Sequence, residues 1–218
     1  MRKTFTLLFS VLLLGAFLFP GCKKDSTDTP GGDPSPIGTV GNQFTGYLVG
    51  LSNFSAVVTS NSDGIANIGV SGTITDQSIM DIAPLLNSSS MASIDPVTGD
   101  FSVDLKVKFT SEGVADYYGT DGKASTVVNY DAKVGDVYKC KSAEGESFNR
   151  TVTARSETDD YYYGFLLIKT ITIEEPVSNP AVTKIVYRAN HRFGIVNITV
   201  VLQDGTEVPF TIFSTNEN

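Results

Sequence analysis

The chain has one histidine, His191, and two cysteines, Cys22 and Cys140. Nucleophilic catalysis of the Ser-His-Asp or Cys-His kind would have to run through His191, because the base must stand within hydrogen-bond reach of its nucleophile. His191 lies in Tyr187-Arg188-Ala189-Asn190-His191-Arg192-Phe193-Gly194, where Gly194 relaxes the backbone and a strand-connecting turn is expected. No Gly-x-Ser-x-Gly elbow is present. Cys140 belongs to an alternating segment, Tyr138-Lys139-Cys140-Lys141. There it reads either as a small buried strand residue or as a thiol whose pKa two lysines lower. Acid pairs occur at Asp159-Asp160 and Glu174-Glu175. Neighbours on a strand point to opposite faces, so neither pair is by itself the two-carboxylate site that glycoside hydrolysis needs. A single histidine excludes a multi-His metal centre. Asp116 with Asp121, and Asn61 with Asp63, lack the Asp-x-Asp-x-Asp-Gly spacing of a calcium loop and read as turn residues. The sequence therefore assigns no catalytic residue, no metal and no cofactor, and the expectation is a protein that is not an enzyme.

Binding is better represented than catalysis. Tyr161-Tyr162-Tyr163-Gly164 is the densest aromatic cluster and Tyr117-Tyr118 a second. Tyr161 and Tyr163 share a strand face, which suits either a contact surface or cross-strand packing. Arg188, His191 and Arg192 form the one local cationic group, with bidentate geometry for a carboxylate or phosphate. These five residues, Tyr161, Tyr163, Arg188, His191 and Arg192, are the candidate ligand contacts.

The elements that must position them alternate with period two. In Phe101-Ser-Val-Asp-Leu-Lys-Val-Lys-Phe109 the apolar residues share one face and the polar ones the other, the pattern of a half-buried strand. Ala66, Ile68, Val70 and Ile74 alternate after the Asn61-Ser62-Asp63-Gly64 turn. Asp204-Gly205 joins Phe193 to Leu202 with the alternating Val208, Phe210 and Ile212 in a hairpin. Phe165 to Ile173 is apolar on both faces and predicts a central strand. Asp76 opens one helical exception, with Ile79, Ile82, Ala83 and Leu86 at helical spacing and Pro84 interrupting it. The spacing predicts a short helix or two single turns over 77–88. About ten strand candidates with tight turns predict an all-β fold: an antiparallel meander forming a sandwich or half-open barrel with one short helical segment.

Composition bounds the rest. The chain has 218 residues, 41% hydrophobic and 18% charged, enough for one sizeable domain with a core. Its formal charge of −8 disfavours a nucleic-acid role. Arg2 and Lys3 precede an apolar run from Phe5 to Phe19, too short for a confident membrane span and shaped like a signal peptide. The run ends in Phe19-Pro20-Gly21-Cys22-Lys23-Lys24-Asp25. That stretch resembles a bacterial lipoprotein signal, in the looser form of the Bacteroidota, with small Gly21 before the cysteine. The resemblance implies cleavage after residue 21, lipidation of Cys22 and an outer-membrane lipoprotein of the cell envelope. Residues 22–42, rich in Pro, Gly, Ser, Thr and Asp, read as a flexible tether, and 43–218 as a single all-β domain.

The C-terminal half is similar in style to a group of Bacteroidota lipoproteins of unknown function. The similarity rests on Lys133-Val134-Gly135-Asp136, Thr158-Asp159-Asp160-Tyr161-Tyr162-Tyr163-Gly164-Phe165 and Ala189-Asn190-His191-Arg192-Phe193-Gly194. The expected architecture is also similar to lipocalin-like and LolA-like half-barrels. The expectation is a membrane-anchored binding or structural accessory module with a glycan, protein or hydrophobic partner. The alternative is a carrier of a lipid or other hydrophobic ligand inside a half-barrel.

Overall fold

The computed structural model describes residues 25–26, 29–47, 50–77, 79–80, 92–117, 122–142, 145–178 and 180–218. The alternating segment around Phe101 becomes strand β6 (Asp100–Thr110), next to β4 (Ile65–Ile74). Their register sets Ala66 opposite Val107, Ile68 opposite Leu105 and Val70 opposite Val103, so two apolar faces merge into one. Asp63 and Gly64 are both left-handed, at φ 54° and 79°, and turn β3 (Leu51–Ser62) tightly into β4.

This hairpin logic runs through the whole chain. The first half goes from β2 (Gln43–Tyr47) through β3, β4 and β6 to β7 (Gly113–Asp116) and β8 (Ser125–Asn129), with β5 (Ala92–Ile94) pairing alongside β6. The second half runs β9 (Val137–Lys141), β10 (Ser147–Arg155), β13 (Ile171–Pro176), β14 (Val182–Asn190), β15 (Gly194–Leu202) and β16 (Glu207–Ser214). β16 pairs antiparallel with β2 and joins the two halves. The result is an all-β antiparallel meander wrapped into a nearly closed barrel. Its remaining gap falls between strands consecutive in sequence, β8 and β9. The inner face carries the main core, including Val58, Ile68, Phe109, Val128, Tyr138, Val152 and Ile173.

One end of the barrel is plugged by the chain's own N-terminal segment. Pro34 bridges to Thr110, and residues Pro36–Gly38 form a single 3₁₀ turn capped by the Ser35 side chain. Ile37 drops into the core at 1% exposure. The Asn61 side-chain amide donates to the Gly38 carbonyl at 2.7 Å, and the Asn42 amide donates to the Ile37 carbonyl at 2.6 Å. Residues 29–42, expected as tether, thus belong to the body. A Pro/Gly-rich composition marks lack of helix and strand, and here the backbone groups find partners on the barrel rim instead. Upstream, β1 (Asp25–Ser26) lies parallel on β9, with Asp25 opposite Val137 and Ser26 opposite Tyr138.

The expected central strand over Phe165 to Ile173 does not form. Tyr161–Tyr163 (β11) and Leu166–Ile168 (β12) pair with each other in a separate two-stranded sheet, and the chain joins the barrel only at Ile171. Gly164, at φ 61°, supplies the turn that folds the segment on itself. Of the expected helix over 77–88, Asp76 accepts from the Met80 N–H at 3.0 Å, one helical turn. Residues 81–91 lie outside the described residues.

Candidate functional site

Turn 191–193 joins β14 to β15 at the plugged end, as the Gly194 signal implies. The Asn190 side chain builds it. Its carbonyl oxygen accepts from the Arg192 N–H at 2.8 Å, and its amide donates to the Lys169 carbonyl at 2.7 Å. That second bond ties the turn to the base of the β11–β12 hairpin. The hairpin lies against β14–β16 through a small satellite core of Tyr163, Ile168, Phe193 and Val196. The five sequence candidates therefore do gather at one end of the barrel.

They play different parts there. Tyr163 is 5% exposed, stacks on Phe213 at 4.7 Å between ring centroids, and donates to the Ile212 carbonyl at 2.8 Å. Burial pushes its phenol pKa up to about 12. It holds the hairpin down and offers no surface. The half-buried Tyr161 ring carries the Arg188 guanidinium 5.1 Å from its centroid, a cation–π contact. Burial raises the Tyr161 pKa against the opposing pull of Arg188. Arg192 is exposed and pairs with Glu217 at 2.6 Å. His191 is exposed at the turn. The outer side of the hairpin, which sequence reasoning assigned to a buried strand, is apolar and bare. Tyr162 is 80% exposed, Phe165 fully exposed, and Leu166 and Leu167 about half exposed.

The second constellation was not foreseen. Phe148, Arg150 and Val152 alternate onto the inner face of β10, which puts a guanidinium inside the barrel at 3% exposure. It contacts Asp116 at the end of β7 at 2.6 Å and Glu175 of β13 at 2.7 Å. The Tyr187 hydroxyl of β14 donates to the same Glu175 oxygen at 3.0 Å. The rings of Phe148 and Tyr187 flank the guanidinium at 5.4 and 5.6 Å. Burial works against the Arg150 charge, but the Asp116 carboxylate and then that of Glu175 hold its pKa well above the ordinary value. Burial, and then the Glu175 charge, raise the Tyr187 phenol well above its usual range, so it stays a neutral donor. Tyr187 is half-buried and packs against the main core.

This cluster stands at the gap in the barrel. Arg150 also donates to the Thr126 carbonyl of β8 at 3.1 Å, and the Tyr138 hydroxyl of β9 accepts from the Asn129 N–H at 3.2 Å. Side chains thus satisfy edge groups of β8 where a backbone ladder is missing. Cys140 sits in the same wall at 4% exposure. Burial raises its thiol pKa, outweighing Arg150, and Lys139 and Lys141 alternate onto the outer face. Of the two readings of Cys140, the structure matches the small buried strand residue and not the activated thiol. Asp116, weighed as a calcium ligand, is committed to Arg150. Asp121 lies outside the described residues. Glu174 and Glu175 do split between faces: Glu174 pairs outside with Lys184 at 2.8 Å, and Glu175 points in. Among the described residues, no group of three His, Cys, Asp or Glu side chains converges as a metal site.

The sequence held one signal for this cluster, an arginine between apolar residues on an inward face. Its partners lie on other strands, 34 residues before it and 25 after, and no local pattern links them. No family model matches the chain, and neither a curated protein nor a solved structure matches it.

Proposed function

We propose that the protein is a lipid-anchored lipoprotein of a bacterial outer membrane whose β-barrel body works as a non-enzymatic binding or structural accessory module. The observation that carries this reading is Cys22 after small Gly21, at the end of a charged and then apolar leader. Acyl chains on Cys22 contribute about 0.8 kcal/mol per buried CH₂, enough for stable attachment when several chains sit on one residue. Loss of residues 1–21 removes Arg2 and Lys3, leaving 14 basic against 24 acidic residues, a charge of −10. An anionic bilayer repels such a body, so attachment has to come from the lipid. The groups best suited to chemistry are committed elsewhere, Arg150, Asp116 and Glu175 to one another and the buried Cys140 to backbone carbonyls, which favours a binding role over catalysis.

The barrel-like sheet supports a second reading, a carrier of a lipid or other hydrophobic ligand. Metabolic labelling with a palmitate analogue tests the anchor. Label on the wild type and none on Cys22→Ala is expected, and an unlabelled, soluble wild type would refute it. Native mass spectrometry of the protein separates the two roles, since a carrier retains ligand mass and an accessory module is ligand-free.

A further inference from the structure

We propose that the β11–β12 hairpin is a second membrane contact, dipping Tyr162, Phe165, Leu166 and Leu167 into the bilayer that holds the Cys22 anchor. The inference rests on the lipid-anchor reading above. The barrel has two ends, and chain direction sorts every loop between them. β9 runs away from the plugged end, starting at Val137, and β10 returns to that end at Arg155. The hairpin inserted between Arg155 and Ile171 therefore belongs to the plugged end. β1 is parallel to β9 with Asp25 opposite Val137, so Asp25 lies at that end. Cys22 is three residues upstream of Asp25, and three extended residues span at most about 10 Å. With residues 29–42 packed into the body, the plugged end is held close to the membrane.

The hairpin is suited to that position. It turns Tyr162, Leu167 and the tip residue Phe165 outward, leaves Leu166 half exposed on the Tyr163 side, and carries Lys169 at its base and Arg188 over the Tyr161 ring. Apolar rings and leucines beside basic side chains match the acyl–headgroup boundary. Its underside is fixed by Tyr163 on Phe193 and Phe213, so the apolar side chains are presented outward without first having to order. A second copy of the chain fits less well. The four side chains expose on the order of 500 Å², short of the roughly 800 Å² per partner of a standard interface. Glu157, Asp159 and Asp160 offset the bordering cations, so a zwitterionic surface is the better match than an anionic one.

The chain has no tryptophan, so a single introduced one reports its own surroundings. Full-length acylated protein is reconstituted in phosphatidylethanolamine–phosphatidylcholine vesicles carrying brominated acyl chains. Phe165→Trp is the reporter and Tyr162→Trp a second. Val97→Trp is the control, 89% exposed in the loop before β6 at the opposite end. Loss of emission from the hairpin reporters and none from the control is expected, with the probes about 5–10 Å below the headgroups. Palmitate label on Cys22 with unquenched hairpin reporters overturns the hairpin contact and leaves the anchor. Reporters shielded from aqueous acrylamide yet untouched by bromine also overturn it, since a protein surface then covers the hairpin. An unlabelled protein whose hairpin reporters are still quenched by added vesicles refutes the anchor alone. An unlabelled, unquenched protein refutes both.

Discussion

Replacing Arg150 by methionine keeps most of the side-chain volume and removes the charge. The variant strips Asp116, 5% exposed, and Glu175, 15% exposed, of contacts at 2.6 and 2.7 Å, and it leaves the Thr126 carbonyl without its 3.1 Å donor. Breaking a buried ion pair by removing one partner costs about 3–5 kcal/mol, because an uncompensated charge stays inside. Two carboxylates lose their counter-charge here, so the upper end of that range applies. A domain of this size loses roughly 2–4 °C of Tm per kcal/mol, which places the expected fall at about 10–20 °C. Urea unfolding followed by far-UV circular dichroism reads the loss. The decisive companion is the triple variant Arg150→Met, Asp116→Asn, Glu175→Gln. With both negative charges gone it should recover more than half of the lost stability. A single variant within about 1 kcal/mol of wild type would refute the idea that this cluster holds the gap closed. A triple variant no better than the single one would show that the cost lies in packing and not in charge.

Ile37→Ala should cost roughly 2–5 kcal/mol by urea unfolding, the range for a buried aliphatic truncation, whereas a residue in a free tether would cost nothing. Burial pushes Tyr138 and Tyr163 up to about 12. Unfolded tyrosines lose their protons near pH 10 while these two keep theirs, so the unfolded state binds fewer protons and stability falls as pH rises from about 10 to 12. Below that window these groups leave stability unchanged. Circular dichroism and phenolate absorbance should change together, and full ionisation of all nine tyrosines with the fold intact would contradict it. Gly99→Ala would force a side chain onto a φ of 77° with its Cβ near the Ile74 carbonyl, and it should destabilise by more than about 1 kcal/mol in the same urea assay.

Period-two alternation makes β4 and β6 legible over most of their length, because each turns one apolar face inward. The same rule misplaces Phe165 to Ile173. Two-sided apolarity signals a strand covered on both faces, and it signals equally well a hairpin whose outer face is bare. The turn at Gly164 decides between them, and local sequence does not distinguish a turning glycine from one that merely interrupts a strand. Residues 29–42 escape sequence reasoning for a related reason. Their fixation comes from Asn42, Asn61 and the rim of the barrel, none of which is encoded in the segment's own composition. At the hairpin site, clustering in sequence finds Tyr161, Arg188 and Arg192. It finds Tyr163 as well, but that ring faces inward, because the parity of a three-residue strand does not say which side is covered. The Arg150 cluster draws on four strands of both chain halves, so its charge balance exists only after folding.

The pairing of β16 with β2 sets a timetable. Asn42 bonds to Ser214 and Thr215 across 172 and 173 residues of sequence. Nearly every other neighbouring strand is reached by a short turn, so either half can assemble as soon as it is synthesised. The ring cannot shut until the last strand has been made. A partial chain therefore leaves both β2 and β15 with an unsatisfied edge, a shape still permeable to unfolding. Contacts of such long separation slow the final step. Under the lipoprotein reading proposed above, the chain would cross a membrane as an extended polymer and gain from that delay, since the locking residues arrive last.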